Sequence, residues 1–193
     1  DGVADMLIKV WKENEKGENG FTDQLANQTQ DVFIMELLQD LFSILAGNQI
    51  MSAAFQTRIF PHLVQALSID PSSGTISNLQ RAATAIDLIA TLIKKVPDPL
   101  PPVYTREVYP HIIHLLMQVD DTGLLQNGQE LLKALVDRDF PGVCSSVCVG
   151  EMDGFQALLG FISKMLRPSE SESCAIFLGP LINKVFSFFN LFY

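Results

Sequence analysis

Val108-Tyr109-Pro110-His111-Ile112-Ile113-His114-Leu115-Leu116-Met117-Gln118-Val119-Asp120-Asp121 restates an earlier stretch, Ile59-Phe60-Pro61-His62-Leu63-Val64-Gln65-Ala66-Leu67-Ser68-Ile69-Asp70. Each copy holds an aromatic residue, a proline, a histidine, two aliphatics, a further apolar position and an aspartate where the apolar run stops. Phe60 and Tyr109 lie 49 residues apart, and a weaker copy without the proline begins at Phe155, 46 residues further on. Self-similarity at such a period is the signature of helical-pair solenoids of the HEAT or armadillo kind, whose units run about 40–47 residues. The expected fold is an all-α solenoid of about four antiparallel helix pairs, with repeats near 1–47, 48–96, 103–139 and 151–189.

Composition agrees with helices buried on more than one side. Of 193 residues, 48% are hydrophobic and only 18% charged, with a mean hydropathy of +0.23. The chain starts at Asp1 and ends in the apolar run Val185–Tyr193, so both ends are expected to be cuts through a longer solenoid, the last helix lacking its neighbour. Lys and Arg total 13 against 22 Asp and Glu, a formal net charge of −9. A field of that sign repels nucleic acid and anionic membranes and favours basic partners. No run of 18 apolar residues suits a membrane span, and no secretory leader is visible.

Taken in order, Val3, Met6, Leu7, Val10 and Trp11 form a helical stripe, and a second helix is expected from Gln28 to Ala46. The next, Met51 to Ile69, contains Pro61, expected to bend its interior. After a turn at Asp70–Gly74, a strong helix runs Ile76–Val96, with Leu79, Ala82, Ala83, Ile86, Ile89, Ala90 and Ile93 inward and Gln80, Thr84, Asp87, Thr91 and Lys94 on the opposite stripe. Pro97–Pro102 reads as a stiff, non-helical connector. Tyr104–Val119 follows, with Asp121 or Thr122 as cap of the next helix. That helix, Leu124–Val136, buries Leu124, Leu131, Leu132 and Leu135 and keeps Gln126, Gln129, Glu130 and Lys133 polar; Asp139–Gly142 ends it. Val143–Asp153 is either a short helix with a loop or an irregular link, and helices resume at Phe155–Leu166 and Ser173–Phe189.

Chemistry-bearing motifs are scarce. There is no phosphate-binding loop, dinucleotide fingerprint or nucleophile elbow, so no catalytic residue and no cofactor is assigned. His62 and His111 share one repeat position, which makes them structural, and His111 with His114 lacks a third metal ligand. Cys144, Cys148 and Cys174 read as reduced thiols, not as a zinc site or disulfides. Asn27-Gln28-Thr29 matches a glycosylation sequon without other signs of secretion. The carboxylates of interest lie on the second helix of each pair: Glu36, Asp40, Asp87, Glu130 and Asp137. If those helices line one surface, these residues line it too and would meet a basic partner there.

Ala83-Thr84-Ala85-Ile86-Asp87-Leu88, Asp120-Asp121 and Leu125-Gln126-Asn127-Gly128-Gln129-Glu130-Leu131-Leu132-Lys133-Ala134 resemble central to carboxy-terminal HEAT repeats of the importin-β (karyopherin) family. The resemblance extends over about Asp31–Val185, while Ser187–Tyr193 departs from the family's pattern. It implies a nuclear transport receptor moving between cytoplasm and nucleus, which carries basic cargo such as histones and ribosomal proteins past nuclear pore proteins and releases it to Ran-GTP. The family's main Ran-binding repeats lie outside this stretch. A HEAT scaffold of a non-transport complex would share the fold with different partners, and an all-helical enzyme would need a buried carboxylate beside His111 and His114.

Overall fold

The computed structural model describes residues 40–41, 44, 57–68, 76–148, 150–166 and 179–187. They form an all-α solenoid: α1 (Phe60–Leu67), α2 (Ile76–Lys95), α3 (Pro102–Gln118), α4 (Thr122–Ser145), α5 (Gly154–Met165) and α6 (179–187). Helices α1, α3 and α5 are successive neighbours in one layer, and α2 packs beside α4 in a second. Between the layers α1 rests on α2, and α3 rests on α4. Helix α6 reaches α4 through Lys184, whose Nζ donates to the Asp137 carbonyl at 2.9 Å. The stripe at Val3–Trp11, most of Gln28–Ala46, the turns at 70–74 and 167–169, and Gln80 and Cys174 lie outside what is described.

The two prolines of the repeated motif sit at different places in their helices. Pro61 sits in the first turn of α1, after a turn at Ile59 that separates α1 from helical residues 57–58. Ile59 itself keeps right-handed helical backbone, with φ −94° and ψ −44°, so the helical run is interrupted two residues before this proline. The first turn has no intrahelical acceptor for its amides, so a residue without N–H loses nothing there. Pro110 is inside α3, as its copy of the motif predicts. Pro102 also corrects the expected connector: it is the first residue of α3, with Pro101 at the N-cap.

The core follows the helical periods. Ile86, Ile89 and Ile93 of α2 are fully buried as expected, yet Ala85, Leu88 and Leu92 are too, so α2 is enclosed on both flanks. Phe60 meets Tyr104 edge to face with ring centroids 4.7 Å apart, joining α1 to α3. Gly128 lets α4 close on α3, since a Cβ there would run into Leu116. Asp121 caps α4 by accepting the Leu124 N–H at 2.8 Å.

Helix α4 breaks at Asp139, whose φ and ψ are −150° and 60°. Asp139 ends the first segment and starts another: its Oδ1 accepts the Gly142 N–H at 3.0 Å, with Pro141 in the new first turn. Thr105 Oγ1 donates to its Oδ2 at 2.6 Å, fixing the break against α3. The open choice over 143–153 resolves as helix to Ser145 and then a short ribbon in which Val147 pairs with Asp153.

Polar contacts repeat with the sequence period. Arg138 Nη1 donates to the Ile93 carbonyl, 45 residues away in the last turn of α2. Lys164 Nζ donates to the carbonyls of Leu116, Met117 and Val119 at 3.0, 3.2 and 2.6 Å, at the end of α3. Lys184 does the same at Asp137, just before the α4 break. Three cations thus cap helix ends one repeat earlier, where orphan carbonyls and the helix dipole favour positive charge. Tyr109, buried in α3, completes the set by donating to the Gly154 carbonyl of α5 at 2.6 Å.

Candidate functional site

The second layer gathers the predicted acidic row onto neighbouring helices. Asp87 projects from α2, and Glu130 and Asp137 from α4. Asp87 was expected to be exposed; it is half-buried, on a helix that is enclosed on both flanks. Burial raises its pKa above the ordinary carboxylate value, Glu130 adds repulsion, and Lys94 opposes both. Glu130 and Asp137 are exposed. Asp40 is exposed on an earlier helical stretch whose Leu41 packs against the core, and Glu36 lies outside the described residues.

Cations interleave with this row. Lys94 Nζ of α2 lies 3.9 Å from Glu130 Oε2 of α4. Asp137 sits between Lys133, at 2.5 Å one turn earlier on α4, and Lys184 of α6, at 3.6 Å. The row is therefore an alternation of carboxylates and ammonium groups and not a purely acidic stripe. Lys94 and Lys133 stand among the predicted polar positions; Lys184 was missed, and its only sequence signal is its place 47 residues after Asp137.

One residue of the expected polar set is in the core. Gln129 is 5% exposed, and its amide Nε2 donates to Met165 Sδ of α5 at 3.8 Å. Leu125, Gln129, Leu132 and Val136 fall on one helical line, so α4 buries a second face toward α5.

The other titratable groups serve the scaffold. His111 Nδ1 meets Ser68 Oγ at 3.1 Å, tying α3 to the end of α1; burial lowers its pKa, Glu107 opposes, and His114 adds to the lowering. His114 Nε2 meets Gln118 Nε2 at 2.9 Å on its own helix. The Cys144 and Cys148 thiols are pushed up by burial and by Asp153, which disfavours the reactive thiolate. Among the described residues no three His, Cys, Asp or Glu side chains gather as metal ligands. No described helix is long and apolar enough to cross a membrane.

No family model matches the chain. Among curated proteins it is 30% identical over 162 residues to importin subunit beta-5 of Schizosaccharomyces pombe, covering 82% of this chain and 15% of that protein. It is 22% identical over 148 residues to importin-9 of Drosophila melanogaster, covering 76% and 14%. The chain spans about one seventh of the length of these curated relatives. Over most of its own length it resembles members of the importin-β (karyopherin) family.

Proposed function

We propose, from this likeness to importins, that the chain is a HEAT-repeat segment of a nuclear transport receptor. Its proposed work is binding and not catalysis, and its proposed repeats are 1–47, 48–96, 103–139 and 151–189. The receptor carries basic proteins, histones and ribosomal proteins among them, between cytoplasm and nucleus past nuclear pore proteins. Release on Ran-GTP acts through repeats outside this stretch. The observation that carries the reading is the 30% identity to an importin over 82% of the chain. Its support in the fold is the row of Asp87, Glu130 and Asp137 across neighbouring second-layer helices.

Opposite charge changes test the row. Glu130 has a side chain 64% exposed and Lys94 one 58% exposed, so either can be replaced without entering the core. Glu130→Lys should weaken binding of the 193-residue chain to a core-histone dimer about threefold or more, and Lys94→Glu should strengthen it, as expected for an electrostatically guided interface. Fluorescence anisotropy with labelled histones reads both. Equal affinity for both variants and the parent chain removes this row from the account.

A further inference from the structure

A short ribbon between α4 and α5 turns one edge to solvent. Cys148 N–H donates to the Met152 carbonyl at 2.8 Å and Gly154 N–H to the Ser146 carbonyl at 2.7 Å, flanking the bridge between Val147 and Asp153. Bonds on both sides of a pair make it a non-hydrogen-bonded pair, whose own N–H and C=O groups point away from the partner strand. Val147 therefore presents a donor and an acceptor on the outer edge. Its side chain, 71% exposed, stands on the same face as that of exposed Asp153, the close arrangement typical of such pairs.

The turn beyond it passes through Gly150 at φ 79° and Glu151 at φ 61°. Left-handed backbone at a glutamate is uncommon and costs energy, and here it sets an exposed carboxylate at the ribbon's tip beside Met152, itself 44% exposed. Ion pairs among the described residues engage Asp98, Glu107, Asp120, Glu130 and Asp137, but neither Glu151 nor Asp153. An exposed strand edge with an apolar anchor and two carboxylates outside any ion pair, one of them also the cap of α5, has a definite complement.

We propose that the Val147 edge takes up an extended basic peptide as an added strand. The incoming backbone pairs with the Val147 N–H and C=O, an aliphatic side chain lies beside Val147, and flanking lysine or arginine residues reach Asp153 and Glu151. Main-chain pairing supplies affinity in such strand addition, and alternate side chains supply selectivity. A second copy of this chain is the poorer occupant, because edge-to-edge pairing would bring the same carboxylates together, and like charges across strands are destabilising. This edge is separate from the second-layer row, and its occupancy does not depend on the transport reading.

The probe is a fluorescein-labelled peptide of repeating Lys-Ser-Val-Ser, which when extended carries lysine and valine on one face, titrated with the 193-residue chain at low salt and read by anisotropy. Saturable binding is expected. The combined Val147→Ser and Glu151→Lys variant should bind about tenfold more weakly, and so should a peptide N-methylated at every amide, which has no N–H left to pair on either edge. Asp153 is left in place because its carboxylate caps α5, accepting the Gln156 N–H at 2.8 Å. Unchanged helical circular dichroism verifies that the variant folds, and a Glu151→Lys variant alone serves as a second reading of the charge contribution. Equal affinity for the N-methylated peptide, equal affinity of the double variant, absence of saturable binding, or dimerisation of the chain lost on Val147→Ser would each overturn the proposal.

Discussion

Replacing Lys164 by methionine should cost more stability than any other single change of a charged residue among the three inter-repeat caps. The ammonium donates to three carbonyls at the end of α3 and lies 3.5 Å from Asp120 Oδ1, with its side chain 15% exposed. Each hydrogen bond from a charged donor contributes about 1.5–3 kcal/mol net, so simple addition would give an unrealistically large total. Two offsets reduce it: carbonyls at a helix end can be rehydrated once the cation has gone, and removing the charge also removes the cost of its partial burial. A partly buried cation at a helix C-terminus contributes up to about 2 kcal/mol. Asp120, 96% exposed, adds little to that. Methionine keeps the apolar stem and loses only the head, so the expected loss is about 2–3 kcal/mol. At about 2–4 °C per kcal/mol for a chain of this length, Tm should fall by about 4–12 °C in circular-dichroism melts. Lys95→Met, at an exposed position in the last turn of α2, is the control and should change stability by less than about 0.5 kcal/mol. The difference should persist at high salt, because a buried contact is weakly screened. If Lys164→Met melts with the control, the cations do not hold successive repeats together.

Two further outcomes follow from the same geometry. Gly154→Ala places a methyl group against the Val143 backbone carbonyl, which cannot swing aside as a side chain can, and should lower the urea midpoint by the equivalent of about 1–3 kcal/mol; an unchanged midpoint would contradict the close approach of α4 and α5. Asp87→Asn should stabilise the chain at neutral pH: the folded pKa is raised, so the native carboxyl binds its proton more tightly than the unfolded one, and wild-type stability falls as pH rises from the unfolded value of 3.8 through the folded one. The advantage of the variant should vanish below that window, and urea titrations on either side of it read the effect.

The fold was legible because its information is repetitive. A motif repeated after 49 residues fixes helix type, pairing and approximate boundaries together, whereas the cap of α4 was narrowed only to Asp121 or Thr122, and the structure gives it to Asp121. Pro61 was expected to disturb its helix, and the helical run is interrupted at Ile59, two residues before it. Gln129 was put outside from its polarity, although its line with Leu125, Leu132 and Val136 marks a second buried face. The carboxylate row was legible as a list of positions but not as an electrostatic surface. Its compensating lysines lie on other repeats, and Lys184 meets Asp137 only once the register of α6 against α4 is set.

That compensation changes how a basic partner would have to bind. An incoming lysine at Glu130 or Asp137 competes with Lys94, Lys133 or Lys184, so the gain per contact is the difference between two exposed ion pairs, each about 0–1 kcal/mol. Such an exchange releases little energy, and raising the salt weakens old and new pairs alike. Steep salt dependence in basic-cargo binding would therefore have to come from carboxylates without internal partners. Among the described residues Glu151 is one of these, while Asp153 stands in no ion pair but caps α5. The second-layer row is better suited to fixing the register of a docked partner than to attracting it, since every carboxylate there already has a neighbour whose displacement depends on where the incoming charge arrives.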